Sequence, residues 1–160
     1  MTAISHCLWF DGQAEEAARF YVSIVPNSRI DHVIPAMVDT PHVKQGEVLL
    51  VEFTLAGQPY AALNGGPEFK FTPAVSVFLR CDSQAEIDRV WDALADGGQP
   101  MACGWITDRY GLAWQVVPND ITDMLKDKDP AKSRRVMEAV MTMVKLDGPT
   151  LRRAYAGADA

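Results

Sequence analysis

The sequence predicts an α+β fold: two βαβββ modules with helices at the C-terminal end. Three observations carry this prediction. The order strand, helix, then about three strands occurs twice along the chain. The letters repeat too: Phe-Asp-Gly-Gln-Ala-Glu-Glu at 10–16 resembles Cys-Asp-Ser-Gln-Ala-Glu-Ile at 81–87. Beyond residue 118 the apolar residues take helical spacing. Two copies about 70 residues apart are too few and too far apart for a solenoid and fit paired supersecondary units.

Residues 4–10 (Ile-Ser-His-Cys-Leu-Trp-Phe) are apolar and aromatic, as in a buried strand. Asp11-Gly12 breaks the chain, and Asp11 is placed to cap a helix starting near Gln13. Ala14, Ala17, Phe20, Tyr21 and Ile24 form its apolar stripe, and Pro26-Asn27-Ser28 ends it. Strands follow at 29–35, 47–56 and 59–63, the last two joined as a hairpin by Gly57-Gln58, with a loop at 39–46. Residues 1–66 make module one, 67–73 a linker with Phe69 and Phe71, 74–118 module two and 119–160 a helical tail. In the strand at 74–80, Val75, Val77 and Leu79 alternate with Ser76, Phe78 and Arg80. Ser83 and Glu86 form a capping box, Ile87, Val90, Trp91 and Leu94 an apolar stripe, and Gly97-Gly98 a stop. Strands near 101–103, 105–108 and 112–117 complete the module, with Arg109-Tyr110-Gly111 as a turn. In the tail, 121–126 is a short helix. Asp129-Pro130 opens a longer one to Lys145, striped by Val136, Met137, Val140, Met141 and Val144, and 150–156 adds a last turn. The methionines of this stripe are core or the face toward a partner subunit.

The chain has 160 residues, the size of one domain. Fifteen Lys and Arg against 21 Asp and Glu give a net charge of −6, which argues against nucleic acid and against an anionic membrane surface. Cys7, Cys81 and Cys103 are odd in number and widely spaced, which points to reduced thiols rather than disulfides or a thiolate zinc site. No signal segment and no run of about 18 apolar residues is visible, so a cytoplasmic protein is expected.

Several segments together resemble one family. They are Leu-Trp-Phe-Asp-Gly-x-Ala-Glu-Glu-Ala-x-x-Phe-Tyr at 8–21, Leu-Asn-Gly-Gly at 63–66, Cys-Gly-Trp at 103–105, Asp-Arg-Tyr-Gly-Leu-Ala-Trp-Gln-Val-Val-Pro at 108–118 and Met-x-Met-x-Lys at 141–145. With paired βαβββ units they resemble the PhnB-like branch of the vicinal-oxygen-chelate (glyoxalase/bleomycin-resistance) superfamily. The resemblance implies a cupped mixed β-sheet around a cavity, and a homodimer whose modules pair within or between subunits. Members are often labelled 3-demethylubiquinone 3-methyltransferase. Methyl transfer needs a Gly-rich turn after a first strand; Asn64-Gly65-Gly66 follows a hairpin and Gly97-Gly98 ends a helix.

Metal-dependent members take ligands from the first strand of each module and from a last strand. The resemblance implies His6 on the first strand, Ser76 as its counterpart in module two, and Gln115 on the last strand. An imidazole and an amide are a poor set for a divalent ion, so no cofactor is the first expectation and a divalent metal on His6 and Gln115 the alternative. His6 is then a hydrogen-bonded cavity or core residue, a ligand, or a general base. Ser76, Phe78, Cys103, Trp105, Tyr110, Trp114 and Gln115 are the expected cavity lining. A nucleophilic Cys103 would need a neighbour that stabilises its thiolate. The expected function is small-molecule binding in an apolar cavity, with the reaction unassigned. The alternatives are a ligand-sequestering binding protein, a metal-dependent lyase, isomerase or dioxygenase, and the methyltransferase of the label. The acidic charge favours a cationic ligand.

Overall fold

The computed structural model describes residues 2–158 and divides into two compact units, Met1–Phe71 and Thr72–Ala160. Unit one contains β1 (His6–Phe10), α1 (Ala14–Ile24), β2 (Arg29–Pro35), β3 (Val48–Leu55) and β4 (Gln58–Asn64). Unit two contains β5 (Ser76–Cys81), α2 (Gln84–Ala95), β6 (Gln99–Pro100), β7 (Trp105–Thr107) and β8 (Ala113–Pro118). It continues into α3 (Ile121–Leu125), α4 (Pro130–Val140) and α5 (Gly148–Ala156).

Each unit holds one four-stranded mixed sheet of the same topology, β1-β4-β3-β2 and β5-β8-β7-β6. In each, the first strand runs parallel to the last, and the other neighbours are antiparallel. The first strand needs a crossover to lie parallel to its neighbour, and the helix supplies it. The predicted α+β fold of paired βαβββ modules is thus present.

One face of each sheet is covered by its helix. In unit one Leu8, Val51 and Ala62 share a row and are buried, against the buried Ala14, Ala17, Ala18 and Tyr21 of α1. Ala18 therefore occupies the stripe position expected of Phe20, which is half-buried. In unit two Ile106, Trp114, Val116 and Cys81 are buried with Ile87, Val90, Trp91 and Leu94 of α2. Burial pushes the Cys81 thiol up to about 12, which makes it inert.

The helix starts differ. Ser83 Oγ accepts from Glu86 N at 3.1 Å, and Glu86 Oε2 accepts from Asp82 N at 2.8 Å, a capping box shifted one residue outward. In α1 the expected cap by Asp11 is absent: Gln13 is the cap residue and makes no side-chain cap bond. Asn64, fifty residues away, accepts from Ala14 N at 2.9 Å and donates to Val48 O at 2.9 Å. A buried asparagine from β4 thus ties the helix to the hairpin.

The tail departs most from expectation. β6 lies at Gln99–Pro100 rather than 101–103, and α4 stops at Val140 rather than 145. The reason is non-local. Met143 O and Val144 O accept from Cys103 N (2.8 Å) and Gly104 N (2.7 Å), so this stretch leaves the helix to bond the strand region. The stripe accordingly splits: Val136 and Val140 are buried, while Met137, Met141 and Val144 are exposed. The expected last turn is a nine-residue helix, opened by Asp147 accepting from Thr150 N at 2.7 Å and closed by Gly157 in the left-handed region. Val117, Ile121, Met124, Val136, Val140, Leu146 and Leu151 form one core cluster, with Cys103 packed against it.

Candidate ligand site

The strand pairings fix which side chains share the uncovered face of each sheet. In unit two Trp105 pairs with Gln115 and Gln115 with Phe78, so the three form one row across β7, β8 and β5. The next row is Thr107, Ala113 and Ser76. Gln115 Nε2 donates to Ser76 Oγ at 3.0 Å, which confirms the shared face and fixes the amide between the two rings. Phe78 is 39% exposed, and the Arg80 guanidinium carbon lies 4.7 Å from its ring centroid. Trp105 also walls an apolar recess of about 350 Å³ with Pro73, Met101, Ala102 and Cys103. That volume lies at the lower end of small-molecule sites.

Ser76, Phe78, Trp105 and Gln115 therefore come together, with Cys103 at the recess beside Trp105. Trp114 does not join them. Adjacent residues of a strand point to opposite faces, so Trp114 and Gln115 cannot both face a ligand. The Trp114 indole is fully buried on the helix side and donates to Asp108 Oδ2 at 2.9 Å. Asp108 Oδ1 also accepts from Tyr110 N and Leu112 N, at 2.8 and 3.1 Å. The Asp-Arg-Tyr-Gly-Leu-Ala-Trp segment thus ties a turn to the core, and Tyr110 lies in that turn. Cys103 has a backbone φ of 61°, and its Sγ lies 3.8 Å from Met141 Sδ.

His6 shares its side of the sheet with Leu8 and Phe10 but is exposed at the start of β1. It pairs with Tyr60, which pairs with Phe53, and the three rings stack in sequence at 5.4 and 5.5 Å. Phe53 in turn meets Tyr21 of α1. The repeat explains this placement. Phe10 and Cys81 are equivalent last residues of their strands, so His6 corresponds to Val77, and Ser76 is not its counterpart. A slip of one residue reverses the face of a strand.

The donors expected for a metal do not fit one. His6 is exposed and stacked on Tyr60, and Gln115 is a neutral amide already bonded to a hydroxyl, a poor donor pair for a divalent ion. Among the described residues no three of His, Cys, Asp and Glu are gathered as ligands.

The other face of unit one carries His32 and Glu52, whose faces the sequence alone does not fix. Cys7, Ala61, Glu52 and His32 form one row, and His32 Nδ1 lies 3.0 Å from Glu52 Oε2. Partial burial raises the Cys7 thiol above its ordinary range. The signal for Glu52 was present, as the one charge within an otherwise apolar strand. Arg80 was equally legible, alternating with Ser76 and Phe78.

This arrangement, two βαβββ modules each with one sheet face turned away from its own helix, defines a protein of the vicinal-oxygen-chelate class. The profile of the 3-demethylubiquinone-9 3-methyltransferase family matches residues 2–117. The chain is similar to a PhnB protein of Bacillus cereus described by the same family title, with 33% identity over 72% of this chain and 99% of that one, and a TM-score of 0.66. It shares its fold with protein PA1353 of Pseudomonas aeruginosa, at 24% identity, 74% and 98% coverage and a TM-score of 0.60. No protein of curated function matches. The chain belongs to the 3-demethylubiquinone-9 3-methyltransferase family, the PhnB-like branch of that superfamily.

The glycine-rich turns form no cradle for the methyl donor that such a title implies. A Cβ on Gly65 would fall 2.3 Å from the Trp9 indole, and one on Gly66 2.5 Å from the His42 ring. On Gly98 it would meet Leu94 O at 2.2 Å. These glycines make room for the protein's own groups.

Proposed function

We propose that this chain is a cytoplasmic PhnB-like protein that binds a small planar molecule on the uncovered face of its second module. The observation that carries the reading is the row Phe78–Gln115–Trp105. Two strand spacings of about 4.8 Å put the two aromatic residues roughly 10 Å apart. Ring pairs prefer centroid separations of about 4.5–7 Å, so one flat ring fits between them with a contact on each side. Gln115 lies at the floor with its nitrogen turned to Ser76, which leaves its carbonyl oxygen to accept from the ligand. The recess beside Trp105 takes an apolar substituent.

The test uses 2-naphthamide, an uncharged flat probe, followed by NMR of the full chain. Saturable shifts of the Trp105 indole N–H and the Gln115 side-chain amide are expected, with Trp114 unmoved. For a ligand of this size the Kd expected is ~0.1–1 mM. Shifts confined to other residues, or no saturation, would overturn the reading. Ligand recovered unchanged after long incubation would mark sequestration; a product would mark catalysis at the same face.

A homodimer accompanies this reading. Three exposed apolar side chains of the tail, Met137, Met141 and Val144, favour it. Sedimentation at the monomer mass at all concentrations would remove it.

A further inference from the structure

We propose that the ligand of this face is an anion, a planar carboxylate, and that Arg80 selects it. This rests on the binding reading above and names its ligand class.

Arg80 is exposed and follows Phe78 by two positions in β5, so it projects from the same uncovered face as Phe78 and Ser76. Its own row partner is Val117, which the tail helices bury. The guanidinium instead folds back over the Phe78 ring, 4.7 Å from its centroid, toward the row that holds Gln115. A guanidinium stacked on a ring loses rotational freedom and keeps its fork of donors for a partner.

That fork has no carboxylate partner among the described residues. The setting makes this unusual, because acids outnumber bases by 21 to 15. Arg19, Arg29, Arg109, Arg134 and Arg152 hold carboxylates within 2.9 Å, while Arg135 donates to two backbone carbonyls and Arg153 to the Thr150 hydroxyl. The acid that feels Arg80 is Asp123, and it is engaged elsewhere. The Lys126 ammonium, 2.6 Å away, holds its carboxyl below the ordinary range, with Arg80 as a lesser cause.

An unsatisfied planar cation beside a ring slot and a fixed amide is complementary to a ring bearing a carboxylate. The ring enters between Phe78 and Trp105, and the carboxylate accepts two parallel hydrogen bonds from the guanidinium. The sign is opposite to the one the net charge of −6 predicts. A whole-molecule charge acts at long range and is screened over about 8–10 Å of salt solution, whereas Arg80 acts at contact.

The experiment compares 2-naphthoate with 2-naphthamide, which share the ring and differ in charge, by calorimetry and NMR on the full chain. The expected result is about tenfold tighter binding of the carboxylate at low salt, with the ratio shrinking as salt is added. R80Q should bring the ratio to about one. R80K, which keeps the charge and loses the fork, should fall between. Equal affinities in the parent protein would overturn the anion inference and leave the binding reading standing. A ratio that survives R80Q would overturn the role of Arg80. Failure of both probes to shift Trp105 and Gln115 would remove both readings together.

Discussion

The two modules share a topology and differ in what they place on it. The row Cys7–Ala61–Glu52–His32 of the first and the row Phe78–Gln115–Trp105 of the second occupy equivalent positions, three residues before the equivalent Phe10 and Cys81. The first row is small and acidic, with a histidine beside the carboxylate. The second is aromatic, with an amide in the middle. The covered faces differ less: both are aliphatic and aromatic side chains under a helix. Packing under the helix thus defines the module, and the uncovered row defines what the module meets. This separation is the physical content of the rule that fold does not give function.

Three experiments sharpen the comparison, in falling order of effect. The first sets the covered face against the uncovered one. Trp114→Ala removes a fully buried indole and orphans a buried Asp108 oxygen, at a cost of about 3–5 kcal/mol. Trp105→Ala, half-exposed, should cost about 1 kcal/mol, so denaturant midpoints should separate the two variants clearly. Equal costs would mean that the two faces are not distinct.

The second sets one helix start against the other. Asn64→Ala breaks two bonds and leaves Val48 O and Ala14 N unsatisfied, for about 2 kcal/mol. Ser83→Ala removes one exposed cap bond, for about 1 kcal/mol. If Asn64→Ala proved the milder change, α1 would not depend on its distant cap.

The third concerns the ligand. Gln115→Ala should weaken 2-naphthamide about threefold to tenfold, the worth of one hydrogen bond. His6→Ala, in the other module, should change the same Kd by less than twofold. An equal loss from both would return His6 to the site.

Most elements were legible because their signals are local. Apolar periodicity marks α1 and α2, Gly57 marks the β3–β4 hairpin (its turn is Ala56-Gly57, one residue before the expected Gly57-Gln58), and the duplicated helix start marks the modules. The rest failed where the determining partner is distant. Nothing near Asp11 says that Asn64 will supply the cap. Nothing within 141–145 says that Cys103 and Gly104 will draw those carbonyls out of a helix. The site was half legible. Alternation alone gives Ser76, Phe78 and Arg80 one face, and it separates Trp114 from Gln115. The repeat alone aligns His6 with Val77. The family pattern of metal ligands drew His6 toward Ser76 instead, one residue out of register.

The tail has a last consequence, for vectorial synthesis. Unit one has every strand and its helix cap once Asn64 has emerged, and Phe69 and Phe71 then close on Trp9 and Phe10. Unit two has its last strand at Pro118, yet its core includes Leu146 and Leu151, and Gln84 at the start of α2 bonds Leu146 O and Gly148 N. The first module can therefore fold while the ribosome is still at work on the second. The second, which carries the proposed ligand face, must wait for almost the whole chain to emerge, and a nascent chain stalled before residue 146 would lack Leu146 and Leu151 of the cluster that buries Val117 and Ile121.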